Sequence, residues 1–170
     1  MIDLALIPPR YPPTHAGGGE ISARLLAEQL QERDVADVTV YAFDGNKAER
    51  VGGVSVRRLA TVPQYPYTLP NEIAYRKLRA ESLDCDILHA YNMALNPDTG
   101  YLAEHHDIPS VATLNSYDIL PKATFGVKPK PLRHAYEVLA MPTTGRILRS
   151  YMRRLDRFIT LSEASASLYR

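Results

Sequence analysis

The sequence predicts an α/β fold of the doubly wound, Rossmann-like kind, with a mainly parallel sheet, and three observations point there. Short apolar and β-branched runs alternate along the chain with stretches whose apolar residues recur at helical spacing. The first run, Ile2 to Ile7, is apolar enough to be buried on both faces, as a central parallel strand requires. Proline is the one skewed count, 13 of 170 residues, and it gathers at Pro8, Pro9, Pro12 and Pro13 and again at Pro63, Pro66 and Pro70, which marks loops between elements.

Taken in order, Ile2 to Ile7 is a strand ended by Pro8-Pro9, and a long loop runs from there to Gly19. Residues 20 to 33 place Ile21, Leu25, Leu26 and Leu30 at helical spacing, with Glu20 in the first turn and Arg33 in the last, both favourable to the helix dipole. Val38 to Tyr41 is a second strand, Asp44-Gly45-Asn46 a polar turn, and Val51 to Leu59 a third strand bent at Gly52-Gly53. Residues 71 to 83 read as a helix with Asn71 as N-cap and Ile73, Leu78 and Leu83 turned inward. Ile87 to Ala90 is a strand, 97 to 106 a helix, Pro109 to Leu114 a strand, and Asn115 to Pro131 a long loop. Two further helical stretches follow, then a strand at Phe158 to Leu161 and a helix capped by Ser162. One domain, 1–170, is expected, and its last residues stop within the opening turns of a helix, as in a piece of something longer.

Composition excludes several classes of function. Twenty basic against nineteen acidic residues leave a net charge of +1, which gives no electrostatic reason to expect a nucleic-acid partner. No apolar run reaches the ~18 residues of a membrane span, and Met1-Ile2-Asp3 does not open a signal peptide, so a cytoplasmic location is expected. The single cysteine, Cys85, leaves neither an internal disulfide framework nor a multi-thiolate zinc site.

In a doubly wound sheet, ligands lie beyond the carboxyl ends of the strands, so candidates are judged by the strand end they occupy. Thr14-His15-Ala16-Gly17-Gly18-Gly19-Glu20 follows the first strand and opens the first helix. Its glycines permit close approach of a ligand, and the free N–H groups there attract phosphate or a sugar hydroxyl, although glycine also serves plain flexible loops. His89, with Tyr91 and Asn92, ends a strand; a histidine in such a place is either a hydrogen-bonded core residue or a site residue. Thr113, Asn115, Ser116 and Asp118 emerge from the next strand, in residue types that turns also use. Together the three groups line one edge. Asp84-Cys85-Asp86 imitates an Asp-x-Asp metal motif but precedes its strand, and His105-His106 are adjacent, without the i, i+4 spacing of a metal pair. A dinucleotide turn is disfavoured because nine residues separate Ile7 from Gly17, and Asp44, placed like a ribose carboxylate, does not restore the motif.

The small net charge hides an uneven distribution: residues 121–158 hold nine basic and two acidic residues, a net of +7 that leaves −6 elsewhere. Arg146, Arg149, Arg153 and Arg157 recur at helical spacing beside an apolar stripe of Leu148, Tyr151, Met152 and Leu155. Such a helix is either a core element with a solvated basic face or a surface for anionic lipid or a phosphorylated acceptor.

Several segments in order resemble the amino-terminal half of a group 1 glycosyltransferase, the retaining family 4 enzymes of GT-B fold. Pro12-Pro13 followed by Gly17-Gly18-Gly19-Glu20 is similar to that family's Gly-Gly-x-Glu loop, with Leu26-Ala27 and Leu30 in its first helix. Asp86 to Asn92 resembles its Asp-Ile-Val-His-Ala-His-Asn strand, Ile108 to Leu114 the strand leading to its His-Asp pair, and Leu155 to Ser162 the segment that ends the half-domain. Asn115 stands where the family usually has histidine, Ser116 where it has aspartate or glycine, Tyr91 where a second histidine is common, and Asp34 where an Arg-Gly-His turn has glycine.

The resemblance implies an acceptor-side domain that transfers sugar from a nucleotide-sugar donor to a glycan or lipid-linked acceptor without a catalytic metal or other cofactor. The donor-binding carboxyl-terminal domain is absent from this chain, so the piece alone is expected to be inactive. His89, Asn115 and Asp118 would be catalytic, Gly17, Gly18, Gly19, Glu20 and Thr113 would bind donor or acceptor, and Arg146, Arg149 and Arg153 would face the acceptor or the inner face of a membrane. The reading from a different class is a non-catalytic module that holds a phosphate-bearing ligand or partner in the same crevice, kept open by Asn115 in place of histidine.

Overall fold

The computed structural model describes residues 1–63, 66, 68–115 and 120–167. Among them the chain forms β1 (Ile2–Ile7), α1 (Gly18–Glu32), β2 (Ala36–Ala42), β3 (Lys47–Val51), β4 (Val54–Arg58), α2 (Thr68–Ala80), β5 (Ile87–Tyr91), α3 (Asn96–His106), β6 (Ser110–Leu114), α4 (Pro131–Leu139), α5 (Met141–Met152), β7 (Arg157–Thr160) and the short α6 (Glu163–Ser167). The strands join in one seven-stranded sheet of order β3-β4-β2-β1-β5-β6-β7, parallel throughout except for β3, which pairs antiparallel with β4 at one edge. This is the doubly wound fold that the alternating pattern predicts, with the strand order reversing between β1 and β5.

Side chains alternate across the sheet and build its two faces. Leu4, Leu6, Val38, Val40, Val54 and Val56 pack on one face against Ala23 and Ala27 of α1. Ala5, Ile7 and Leu88 meet Ala74 and Leu78 of α2 and Leu102 of α3 on the other. There Ala90, Ala112 and Leu114 receive Leu148, Met152 and Leu155 from α5 and the turn after it. Because Leu88 and Ala90 face the α2–α3–α5 layer, His89 and Tyr91 face the α1 side, and Thr113 does so by the same alternation.

Four expectations are corrected. The first helix turns Ala23 and Ala27 fully inward and keeps Leu26 and Leu30 partly buried, while Ile21 and Leu25 stand exposed; short alanines let α1 lie close to the sheet, so its face is rotated from the one the larger residues suggest. Val51 to Leu59 is not one bent strand but the turn and return of a hairpin, in which Gly52 (φ 57°) and Gly53 (φ 82°) occupy the left-handed conformations of a two-residue connection. Asn71 is not an N-cap. Helix α2 begins three residues earlier, with Pro70 tolerated in its first turn, and Asn71 is buried inside it, donating Nδ2 to the Ala94 carbonyl (2.8 Å) and accepting the Asp98 amide on Oδ1 (3.1 Å). Helix α5 ends at Met152, so Arg157 lies at the start of β7 and the arginines do not share one helix.

Candidate functional site

β1, β5 and β6 end side by side, Ile7 opposite Ala90 and Tyr91 opposite Thr113, at the edge where the strand order reverses. Helix α1 starts at this edge two residues earlier than the periodicity implies, so that Gly18 and Gly19 form its first turn with Gly17 as an extended N-cap (φ −75°, ψ 170°). Among the described residues no side-chain hydrogen bond caps it, although the Glu20 carboxylate lies over Gly17, so its first N–H groups are left to solvent or to a ligand that displaces that carboxylate. None of the three glycines has a positive φ, so space and not backbone freedom is what their missing side chains provide. A Cβ on Gly18 would meet nothing within 4 Å. One on Gly19 would stand 3.5 Å from Asn115 Nδ2 and 3.6 Å from Asn92 Nδ2, in ordinary contact, which brings both asparagines beside the helix start. A Cβ on Gly17 would meet the Glu20 carboxylate, which folds back over the N-cap.

The strand ends supply the rest. Asn92 leaves β5 with φ 77°, a conformation asparagine tolerates better than most residues, and so turns the chain sharply at the edge. Asn115 Oδ1 is buried and accepts no hydrogen bond from any described residue, an orphan acceptor beside the glycines. His89, only 5% exposed, pairs through Nε2 with Thr113 Oγ1 at 2.8 Å. Burial pushes its imidazole pKa down to about 4, so it is neutral in ordinary solution. The ring of Tyr91 lies 5.8 Å from that of His89. Asp118 and Ser116 lie outside the described residues.

A second layer, which no motif announces, holds the loop between β1 and α1. Arg58, 2% exposed at the end of β4, donates Nη1 to the Tyr11 carbonyl (3.0 Å) and Nη2 to the Pro12 carbonyl (2.9 Å). It pairs with Asp44 and, through Nε at 2.6 Å, with Glu49. Asp44, buried to 2% side-chain exposure, also accepts the Tyr11 amide (3.0 Å) and faces His15 Nδ1 (3.2 Å). Burial opposes the guanidinium charge, but the two carboxylates outweigh it and raise the Arg58 pKa. Removing one partner of such a buried pair strands the other, a loss on the order of 3–5 kcal/mol. Asp44 is 14 positions from Arg58 and 29 from His15 along the chain, and Arg58, which holds the group together, offered no sequence signal.

The other sequence candidates take different places. Asp86 accepts the Asp3 amide (2.9 Å) and so tethers β1 at the edge opposite the crevice. His105 and His106 stand at the end of α3 with rings at right angles. Arg146 and Arg153 are exposed and Arg149 half-buried, while Leu148, Met152 and Leu155 are buried against the sheet. Among the described residues no group of three or more His, Cys, Asp and Glu is placed to hold a metal, and no helix is long and apolar enough to cross a membrane.

Comparison with known proteins fits this geometry. Sucrose-phosphate synthase from Thermosynechococcus elongatus superposes with a TM-score of 0.61 at 15% identity, over 95% of this chain and 48% of that one. A UDP-glucosyltransferase from Polygonum tinctorium capable of glucosylating indoxyl gives 0.57 at 13% identity, over 99% and 49%. LpCGTa in complex with UDP gives 0.54 at 16% identity, over 99% and 48%. At such identities the likeness is one of fold, that of one half of a GT-B glycosyltransferase, and the chain spans about half the length of each. No curated protein matches the chain. Residues 16–170, from just before the glycines to the end, match the family described as Glycosyltransferase Family 4, and the chain belongs to that family.

Proposed function

We propose that this chain is the acceptor-side domain of a retaining glycosyltransferase that moves a sugar from a nucleotide-sugar donor to a glycan or lipid-linked acceptor. The observation that carries this reading is the meeting of the uncapped start of α1 with Asn92 and Asn115 at the edge where β1, β5 and β6 end. Free N–H groups suit a diphosphate or a sugar hydroxyl, and the open space over Gly18 admits it close to the backbone. Asn115 Oδ1, buried and without a partner among the described residues, accepts a hydroxyl of the sugar or acceptor, which an amide does as well as the histidine common at that position. Thr113 and His89, each only 5% exposed and joined Oγ1 to Nε2, act beneath this wall as positioning residues, whereas Glu20 screens the N-cap. Asp118, outside the described residues, is kept as a catalytic candidate on its sequence position alone. The UDP bound by LpCGTa and the glucosyl transfer of the Polygonum enzyme support a nucleotide sugar as donor.

We read the basic residues Arg146, Arg149 and Arg153 as facing the acceptor in a cytoplasmic enzyme that is peripheral at the inner face of the membrane, a reading supported by the exposure of Arg146 and Arg153. Transfer from a panel of radiolabelled nucleotide sugars by the complete protein, with its donor-binding domain, tests this function. Asn115→Ala is expected to lower turnover by roughly tenfold to a hundredfold, the scale of one lost hydrogen bond to a reacting group, with little change in thermal midpoint. Equal turnover in the variant would remove Asn115 from the site.

A further inference from the structure

Helix α4 is built inside out. Its inward residues are charged: Arg133 and Glu137, with side chains 8% and 7% exposed, pair at 2.6 Å one helical turn apart. Arg133 donates Nη2 to the Leu120 carbonyl (2.9 Å) and Glu137 accepts the Lys122 amide (3.0 Å), so this pair ties the helix to the segment before it. Its outward residues are apolar: Leu132 is 80% exposed and Leu139 81%, two turns apart on one face with Ala135 between them, and Val138 is 56% exposed beside them. A helix that spends its charges inward and shows leucines to water has its apolar face reserved for something else.

The surrounding charge says what. In the segment 121–150 the only acid is Glu137, which Arg133 already neutralises, whereas Lys128, Lys130 and Arg146 stand exposed. The exposed surface of this segment is therefore apolar and cationic, with no exposed carboxylate among its described residues. The leucines border a groove of about 510 Å³ lined by Pro66, Tyr136 and Ala140, with Lys130 at its rim. Apolar side chains flanked by lysines whose stems can extend toward headgroups are the pattern of a helix lying in a membrane interface.

We propose that α4 docks this protein on an anionic lipid surface, with Leu132 and Leu139 entering the acyl boundary, Lys128, Lys130 and Arg146 meeting the headgroups, and the groove taking an acyl or isoprenoid chain. The arginines of α5 act mainly through charge, because Leu148 and Met152 beside them are buried in the core and Ile147 alone, 47% exposed, adds an apolar side chain. α4 supplies most of the apolar half of the contact. This deepens the reading of a lipid-linked acceptor yet needs no nucleotide sugar, so its test does not depend on transfer.

The test is co-sedimentation of the chain with phosphatidylglycerol–phosphatidylcholine vesicles and with phosphatidylcholine vesicles. The native chain is expected to bind the anionic vesicles, and Leu132→Ser with Leu139→Ser to weaken that binding by roughly tenfold or more. Both leucines are so exposed that circular dichroism and thermal midpoint should be unchanged in the double variant. Lys128→Gln with Lys130→Gln should weaken binding as well, and added salt should reproduce that effect. Unaltered binding of the serine variant overturns the proposal, as does failure of the native chain to prefer anionic vesicles. Concentration-dependent self-association that the serine variant abolishes, without vesicle binding, overturns it too and makes α4 a face for a second copy. Vesicle binding without sugar transfer in the complete protein would leave the docking surface standing and remove the transferase reading.

Discussion

The residue that most clearly separates a structural from a chemical role is His89. Its position at a strand end suits a catalytic histidine, but only 5% of it is exposed and its Nε2 is committed to Thr113. Burial lowers its pKa from 6.5 to about 4, so the folded protein resists a proton that the unfolded chain accepts. Stability from this group is full above about pH 6.5, declines as pH falls and the unfolded state protonates, and is lost by about pH 4, an effect of roughly 3 kcal/mol in all. Asp98, buried at the start of α3, works in the opposite sense. Burial raises its carboxyl pKa, so its contribution is present at low pH and is lost as pH rises above the ordinary carboxylate range. The two overlap in a melting curve, and a substitution separates them. His89→Gln keeps an amide able to reach Thr113 and should flatten the pH dependence of the thermal midpoint between pH 4 and 6.5 relative to the native chain. An unchanged slope would mean that the imidazole is reached by solvent and free to meet substrate after all.

At the scale of elements, what was legible was what local pattern carries. The apolar run of β1 and the Ser162 cap of α6, whose Oγ accepts the Ser165 amide (3.1 Å), are visible because strand burial and capping are decided within a few residues. The inward face of α1 was not, because close packing on the sheet favours Ala23 and Ala27 over larger neighbours, a tertiary choice. Asn71 was misplaced for a related reason: its partners Ala94 and Asp98 are 23 and 27 residues away. The Arg58–Asp44 clamp and the inverted α4 are likewise long-range or partner-directed features that periodicity does not encode. The glycines do lie between β1 and α1 as their place in the sequence implies, but α1 starts at Gly18, which makes Gly18 and Gly19 the first turn of a helix, and the role proposed for them rests on that start. A Val side chain at Gly18 would project into open space and would not strike the protein. Gly18→Val is therefore expected to shift the thermal midpoint little, within the ~1 kcal/mol span of helix propensity, while reducing transfer by the complete enzyme by roughly a hundredfold. Equal losses of stability and turnover would make it a structural glycine.

At the scale of the whole molecule, the sheet has its own core on both faces, from Leu6 and Val38 under α1 to Leu88 and Leu102 under α2 and α3. Such a domain has what it needs to fold by itself. Its chemistry is another matter. The candidate site is a wall formed by strand ends and the start of one helix, open on the side away from the sheet, and the chain covers 48% of the sucrose-phosphate synthase it resembles. Group transfer needs donor and acceptor held within reacting distance and alignment, and the rate lost when one reactant is unheld can reach many orders of magnitude. On the proposed reading one wall orients an acceptor hydroxyl but does not by itself orient a nucleotide diphosphate, whose other contacts would lie on a second domain. The 170-residue chain is thus expected to unfold in a single cooperative transition yet to transfer no sugar from any nucleotide-sugar donor above the uncatalysed rate. Adding the donor-binding half as a separate polypeptide should restore measurable turnover, with a dependence on the concentration of both pieces that reports the cost of assembling the cleft. Transfer by the isolated chain would show that the edge formed by Gly18, Asn92 and Asn115 orients both reactants alone, and the division of labour between two walls would then be wrong.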